Sequence, residues 1–282
     1  MTTTRGTFNY RTEEKWGRGP AGRELGVING VAVDSQDRVF IATRKPVPCV
    51  VIFDPDGCFL RSWGEDVFVK VGGIHGIKID RNDHLFITDW LDHTVHKLTA
   101  EGKLLMTLGT RGQKGESGKP FNGPTMAVAG PTGEIFVSDG YGQSRIHRFS
   151  SDGAWICSWG APGSGAGEFD TPHGLHVDRL NRVLVADRGN NRVQVFDVQG
   201  QFLEEWPASS PADIYIDPDD HIFAGRSIFN LDGKELVESA DIRCHALCGD
   251  SAGNLYWTMP GAQDENGRFV ETANLMKKLV RM

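Results

Sequence analysis

The 282-residue sequence lacks long apolar runs and basic clusters. No apolar stretch approaches the roughly 20 residues of a transmembrane helix, and residues 1–5 do not begin the apolar segment of a signal peptide. The formal net charge is −7, with both signs mixed along the chain. Binders of nucleic acids and of anionic membranes need clustered positive charge. We therefore expect neither nucleic acid nor a membrane as a partner.

Cysteine is also scarce. The five cysteines are an odd number without the spacing of a zinc finger, and Cys244 and Cys248 have no second pair to complete such a site. This usage is typical of small buried thiols in a reducing compartment. We therefore expect a cytoplasmic protein.

Internal repetition is the main feature that the sequence does have. Each repeat contains a strand ending in Asp, a polar turn and a second apolar strand, most clearly at 76–89 and 174–187. A third strand, a turn of the Asp-Gly type and a fourth strand follow. Four short strands that recur about every 40–50 residues are typical of a β-propeller, in which each repeat forms one blade.

We predict an all-β fold, a six-bladed β-propeller that forms a single domain over residues 1–282. The repeats begin near six positions: Ile28, Ile74, Pro124, Pro172, Pro211 and Arg243. The last repeat ends after its third strand, and the segment from Phe8 to Arg11 has the pattern of a fourth strand. The N-terminal strand is thus expected to complete the last blade and close the ring, which removes a free sheet edge.

One position at the start of the first strand carries histidine in every second repeat. In chain order the position is occupied by Asn29, His75, Pro124, His173, Ala212 and His245. First strands line the channel of a propeller, and alternate blades of six lie about 120° apart, so the three imidazoles are expected to converge. Three histidines around an open fourth position are typical of catalytic zinc. Zinc is the first choice of cofactor, with Fe²⁺, Mn²⁺ and Co²⁺ as alternatives.

Residues at the ends of the second strands are expected at the same mouth. They are Arg44, Trp90, Tyr141, Arg188 and Arg226. Guanidinium groups beside a metal suit a small-molecule carboxylate substrate, and a tyrosine near a Lewis acid can act as a base. We predict catalytic roles for Tyr141, Arg188 and Arg44. The predicted substrate-binding residues are Arg44, Arg188, Arg226, Trp90 and Arg243.

A structural ion pair with an aspartate is the alternative for each of these arginines. Arg145 and Arg192 recur at third-strand starts and are expected to be structural. Asp89, Asp139 and Asp187 are expected to pair with groups of this kind, so we leave them out of the site.

The sequence resembles the NHL repeat family, most clearly at 186–196, which reads ADRGNNRVQVF. It is also similar to the peptidyl-α-hydroxyglycine α-amidating lyases in the segments 74–77, 137–141, 172–175 and 185–188. The resemblance implies zinc bound by His75, His173 and His245, with Tyr141 as the base. It implies functional arginines at Arg188 and Arg44. The implied reaction is the collapse of a carbinolamine to an amide and glyoxylate.

Three departures from those lyases change the expected substrate. Ala246 replaces an aspartate that helps to hold a structural calcium, so we do not expect calcium. Arg243 replaces a methionine, and Gly142 replaces a disulfide cysteine. We therefore expect a metal-dependent lyase acting on a small carboxylate-bearing α-hydroxy or carbinolamine-like substrate.

Two other functions stay open. One is a metal-dependent hydrolase or hydratase that uses metal-bound hydroxide. The other is a non-catalytic NHL scaffold that binds a partner on one face. The sequence does not decide the oligomeric state.

Overall fold

The computed structural model describes residues 2–3, 8–13, 16–17, 19, 24–116, 119–238, 244–265, 268–273 and 275–282. Every regular element in these segments is a β-strand. The described segments contain no helix that is long and apolar enough to cross a bilayer. Arg243, one of the predicted substrate-binding residues, lies outside the described residues.

The described segments contain twenty-nine strands. The N-terminal strands and blade 1 are β1 (Thr2–Thr3), β2 (Tyr10–Glu13), β3 (Val27–Val33), β4 (Val39–Lys45), β5 (Cys49–Phe53) and β6 (Phe59–Trp63). Blade 2 is β7 (Ile74–Ile79), β8 (Leu85–Asp89), β9 (Thr94–Leu98) and β10 (Leu104–Leu108). Blade 3 is β11 (Met126–Ala129), β12 (Ile135–Asp139), β13 (Arg145–Phe149) and β14 (Trp155–Trp159).

The second half of the chain repeats the pattern with two small additions. A two-stranded ladder, β15 (Ala161–Pro162) and β16 (Glu168–Phe169), precedes blade 4. Blade 4 is β17 (Pro172–Val177), β18 (Arg182–Asp187), β19 (Arg192–Asp197) and β20 (Phe202–Pro207). Blade 5 is β21 (Ile214–Ile216), β22 (Ile222–Ala224), β23 (Ser227–Phe229) and β24 (Glu235–Glu238). The last strands are β25 (Ala246–Gly249), β26 (Leu255–Thr258), β27 (Gly261–Gln263), β28 (Phe269–Glu271) and β29 (Met276–Arg281).

The strand order confirms a six-bladed β-propeller. Blades 1 to 5 are four-stranded sheets whose strands lie side by side in chain order, and the sixth sheet has the order β1-β2-β29-β26-β25. The chain divides into two compact units, one of Met1–His75 with Cys244–Met282 and the other of Gly76–Arg243. The single domain remains a prediction.

In the first unit, the N-terminal strand completes blade 6. β2 runs antiparallel to β29, with Tyr10 opposite Arg281 and Glu13 opposite Lys278. The aromatic side chains of Phe8 and Tyr10 are buried. The predicted role of this strand is therefore confirmed, whereas β1 and the β27–β28 hairpin were not predicted from the sequence.

The turn between the first and second strands has the same form in most blades. In blade 4, Asp178 Oδ1 accepts the backbone N–H groups of Leu180 at 3.0 Å and Arg182 at 2.8 Å. The third residue after the Asp, Asn181, has a positive φ of 61°. Asp and Asn favour such turns because their side chains bond to the nearby backbone and tolerate the left-handed conformation. The same pattern recurs at Asp34, Asp80, Asp217 and Asp250.

The second unit has an apolar core between neighbouring sheets. One cluster joins Phe136 of blade 3 to Leu175 and Phe196 of blade 4, with Phe169 of β16 fully buried among them. The strands that carry Phe136 and Phe196 are buried on both faces over most of their length, as is typical of strands that are covered by neighbouring sheets. The packing fixes the starts of the first strands, which carry the histidine position.

Irregular pairing marks that position. In blade 4, Pro172 lies opposite Asp187, and the register then shifts before Leu175. In blade 1, the register shifts on both sides of Ile28, beside Asn29. Such bulges re-aim side chains at functional sites. Because the two strands are antiparallel and Pro172 pairs with Asp187, the start of the first strand and the end of the second strand lie at the same end of the blade, as expected.

Candidate metal and active site

Three histidines form a candidate metal site. The ring nitrogens of His75, His173 and His245 can be chosen so that they all lie within 4.8 Å of one another. His75 and His173 are buried, and His245 is half-buried. Three imidazoles with an open fourth position suit zinc and several other divalent ions. The alternation seen in the sequence therefore corresponds to a grouping of these three side chains.

The described residues contain a second group of this type, Asp217, Asp219 and His221. These residues belong to the turn between β21 and β22. Asp217 Oδ1 accepts the N–H groups of Asp219 and His221, and Asp217 Oδ2 lies 2.9 Å from His221 Nδ1. Turn formation explains this group without a metal.

His173 is held by its backbone and by its ring. The Ser138 hydroxyl donates to the His173 carbonyl at 2.9 Å, and His173 Nδ1 lies 2.6 Å from the carbonyl oxygen of Ala212. A carbonyl only accepts, so Nδ1 carries the proton and Nε2 of the neutral ring keeps its lone pair. This is the tautomer that a metal ligand needs, with the carbonyl orienting the ring.

The first unit holds its two histidines in a related way. His245 Nδ1 lies 2.8 Å from the Asn29 carbonyl oxygen, which again leaves the lone pair on Nε2. The Asn29 side-chain amide donates to the His75 carbonyl at 3.0 Å. The His75 and His245 rings meet edge to face, with centroids 4.9 Å apart. Asn29 therefore contacts both histidines, although its own position in the repeat carries no imidazole.

Tyr141 lies beside the second unit's histidine. Its hydroxyl is 3.3 Å from His173 Nε2, the nitrogen that is free to bind a metal, and 40% of the residue is exposed. Gly140 permits this approach because a Cβ there would lie 2.0 Å from the Pro172 carbonyl oxygen. The Trp90 ring packs edge-on at 5.4 Å, and the Arg188 guanidinium lies 5.9 Å from the centre of the Tyr141 ring. Three of the predicted residues thus form one cluster.

The other predicted arginines differ in their partners. Arg44 Nη2 donates to the Glu271 carboxylate, which also accepts from Lys45 Nζ at 2.7 Å. Burial raises the pKa of Glu271, but the hydrogen bonds and charges of Lys45 and Arg44 outweigh this effect and lower it. Arg188 and Arg226 are half-buried, and neither forms an ion pair within the described part of the chain. Arg226 Nε is buried without a hydrogen-bond partner.

Asp187 has the structural role that the repeat pattern predicts. Its Oδ2 accepts from Arg192 Nε at 2.8 Å and from Asn190 Nδ2 at 2.8 Å, and both Asp187 and Arg192 are buried. Asp139 instead accepts two bonds from the Asn122 backbone N–H and lies 3.3 Å from His147 Nε2. Asp139 and Asp187 thus stabilise blades 3 and 4 through hydrogen bonds, whereas nearby Tyr141 and Arg188 belong to the site.

The NHL repeat family model matches residues 169–196, which include His173 and Arg188. This chain is a β-propeller that contains an NHL repeat. NHL repeat-containing protein 3 of Homo sapiens is 35% identical to it over 225 residues, which are 74% of this chain and 64% of that protein. A Caenorhabditis elegans protein named "probable peptidyl-alpha-hydroxyglycine alpha-amidating lyase" is 40% identical over 178 residues, 62% of this chain and 45% of that protein. The propeller thus spans less than two thirds of these relatives' length.

A solved structure has a fold similar to that of this chain. A streptogramin B lyase covers 98% of the propeller, and 99% of that chain is matched, with a TM-score of 0.67 and 15% identity. At this identity the likeness concerns the fold alone. Two of the sequence relatives carry the name of an amidating lyase, in agreement with the resemblance seen in the motifs.

Sequence reasoning missed several parts of the site. The carbonyl groups of Asn29 and Ala212 hold the histidine rings, and Glu271 neutralises Arg44. Lys78 and Asp213 form a buried ion pair next to Ala212. The signal in the sequence was the presence of Lys78 on one first strand and of Asp213 directly before another, where apolar residues would be expected.

Proposed function

We propose that this protein is a metal-dependent lyase that acts on a small α-hydroxy or carbinolamine-like carboxylate. The position of the Tyr141 hydroxyl, 3.3 Å from Nε2 of His173 within the three-histidine group, carries this proposal. A phenol beside the nitrogen that would bind the metal supports a proton transfer at this point. The likeness to the relative named as an amidating lyase supports the same reaction type.

In this proposal His75, His173 and His245 hold one divalent ion, with zinc as the first choice. Two of the three rings have their Nδ1 protons directed to carbonyl groups, so their Nε2 lone pairs are available. A bound divalent ion supplies a Lewis acid that polarises an oxygen of the substrate. The protein's own contribution is to orient the rings before binding.

Tyr141 acts as the base. Its oxygen takes the proton of the substrate hydroxyl, the O–H electron pair forms a carbonyl, and the C–N bond breaks. The same proton then passes from Tyr141 to the leaving nitrogen, so the reaction consumes no water. The Trp90 ring and the Arg188 guanidinium fix the phenol ring from two directions.

Arg188 binds the substrate carboxylate. Its guanidinium has no ion-pair partner in the described segments, whereas half-buried arginines such as Arg148 and Arg182 pair with carboxylates. An unpaired guanidinium fork can bind a carboxylate through two hydrogen bonds. Arg226 serves as an additional cation, and Arg44 contributes only when Glu271 releases it.

The test uses α-hydroxyhippurate, an N-acyl carbinolamine with one carboxylate, in ¹⁸O-labelled water. The lyase reaction yields benzamide without label, together with glyoxylate. Hydrolysis of the amide would instead yield benzoate that contains one labelled oxygen. Labelled benzoate as the main product would refute the lyase and support a metal-dependent hydrolase.

A second experiment separates an enzyme from a binding scaffold. Protein purified without added metal is analysed for its metal content, beside a variant with His75, His173 and His245 all changed to Ala. We expect about one divalent ion per chain in the native protein and none in the variant. A native protein without metal or turnover would favour the scaffold.

A further inference from the structure

A buried ion pair lies next to the carbonyl that holds His173. Lys78 Nζ of β7 lies 2.9 Å from each carboxylate oxygen of Asp213, which immediately precedes β21. Lys78 is 8% exposed and Asp213 is 3% exposed. The pair therefore joins blade 2 to blade 5 across the interior of the second unit.

The same two residues also bind the backbone of Ile214, the residue after Asp213. Lys78 Nζ donates to the Ile214 carbonyl at 3.1 Å, and Asp213 Oδ1 accepts the Ile214 N–H at 2.8 Å. Ala212 precedes Asp213, and its carbonyl accepts a hydrogen bond from Nδ1 of His173 at 2.6 Å. Any shift of Asp213 would therefore move the acceptor of the histidine ring.

The backbone of Asp213 packs directly against β17, the strand that carries His173. A Cβ on Gly174, the residue after His173, would lie 2.5 Å from the Asp213 Cα and 2.8 Å from the Ala212 oxygen. The two backbones are thus in direct contact without room for a side chain. The ion pair, the carbonyl and the histidine form one continuous set of contacts.

The neighbouring ionisable group does not compete for Asp213. Burial, with the Lys78 ammonium as a second cause, lowers the pKa of His176 to about 3, so its imidazole is neutral at physiological pH. A buried ion pair adds little net stability, because the loss of hydration offsets the attraction of the charges. The main effect of this pair is therefore the geometry that it imposes on the backbone.

We propose that Lys78 and Asp213 are positioning residues, whose ion pair fixes the Ala212 carbonyl and so directs Nε2 of His173 at the metal. The effect on metal binding rests on the proposed function, whereas the effect on the histidine ring does not. The pair touches neither substrate nor metal in this proposal.

The test variant combines Lys78→Met with Asp213→Asn, which removes both charges at similar volume. The matched control combines Arg148→Met with Glu134→Gln, which removes a 2.6 Å ion pair of the same unit without touching the histidines. The first readout is the tautomer of His173, measured by long-range ¹H–¹⁵N NMR on histidine-labelled apoprotein and assigned with His173→Gln. The second is the Kd for Co²⁺, measured by chelator competition.

In wild type and control we expect the Nδ1-protonated tautomer, and in the test variant a mixture of tautomers. The Kd for Co²⁺ should rise 10–100-fold in the test variant, as is typical for outer partners of metal ligands. An unchanged tautomer in a folded variant would overturn the inference. If the double variant does not fold, the tautomer and the Kd are measured on the single variant Asp213→Asn, with the same expected and contradicting results. Wild type that shows the expected tautomer but binds no Co²⁺ would refute the proposed function and leave the positioning role standing.

Discussion

Backbone carbonyl groups decide which ring nitrogen two of the three histidines can offer to a metal. The carbonyls of Asn29 and Ala212 accept from Nδ1 of His245 and His173, which leaves both Nε2 lone pairs free. The histidine positions could be predicted from the sequence because a repeat register shows them. Their partners could not be predicted, since any residue supplies a carbonyl and its direction depends on tertiary structure.

Asn29 allows the side-chain part of this arrangement to be tested. Asn29→Ala keeps the backbone carbonyl that holds His245 but removes the amide that donates to the His75 carbonyl. We expect the Kd for Co²⁺ to rise about tenfold or more. Chelator competition measures the Kd, and denaturant unfolding of the apoprotein separates it from lost stability. An unchanged Kd with lower stability would show that Asn29 has only a structural role.

Tyr141 is the residue whose replacement separates binding from chemistry. Tyr141→Phe should lower kcat by about 10²–10⁴ because the base is lost, while the metal content stays the same. Tyr215→Phe is the matched control, since Tyr215 lies on β21 and packs against Phe223. Steady-state kinetics with α-hydroxyhippurate give kcat, and elemental analysis gives the metal content. Equal kcat values in the two variants would remove Tyr141 from the mechanism.

The strands of the blades could be predicted from their alternation and turns, whereas the added elements could not. The Gly residues of the Asp-Gly turns, such as Gly57 and Gly153, have positive φ angles, as this turn type requires. The β15–β16 ladder and the β27–β28 hairpin have strands of two or three residues. Segments this short show no hydrophobic period. The hairpin matters for the site because its Glu271 pairs with Arg44.

The N-terminal strand is the element that joins the two ends of the described chain in one sheet. Arg11 lies opposite Val280, and its side chain is exposed. Arg11→Pro removes an N–H from β2 and disturbs the pairing with β29. We expect the free energy of unfolding to fall by about 1–3 kcal/mol, because a carbonyl of the strand pair loses its donor. Urea denaturation measures the change.

Arg11→Ala is the control for this prediction, because it removes the same side chain and keeps the N–H. It should leave the free energy of unfolding within about 0.5 kcal/mol of wild type. Equal stability of the Pro and Ala variants would mean that β2 does not contribute to blade 6 in solution.

At the scale of the whole molecule, the repeats predict the architecture and long-range pairs complete it. The Lys78–Asp213 pair joins residues 135 positions apart, and Arg44 and Glu271 are 227 positions apart. A single sequence shows no relation between such positions, because each partner lies in a different repeat. The six blades were predictable since each blade repeats the same local pattern of strands and turns.

The buried neutral histidines make the stability of the fold depend on pH. His96 is 2% exposed, with Nδ1 3.0 Å from the Thr107 hydroxyl and Nε2 3.2 Å from the Thr94 hydroxyl. Burial, with the charge of Arg111 as a second cause, lowers its pKa to about 4 from an ordinary value of 6.5. As the pH falls below 6.5 the unfolded chain takes up this proton first. The stabilising contribution of neutral His96 is therefore present above pH 6.5 and is lost as the pH falls towards 4.

His96→Gln removes this ionisation while keeping a polar side chain between the two threonines. From pH 7.5 to 4.5, wild-type apoprotein should lose up to roughly 3 kcal/mol more unfolding free energy than the variant, since one pKa unit corresponds to about 1.4 kcal/mol. Urea unfolding in the presence of a chelator, at several pH values, measures both curves. The carboxylates and His176 titrate in both proteins, so the difference between the curves isolates His96. Parallel curves would show that His96 is not held neutral in the native fold.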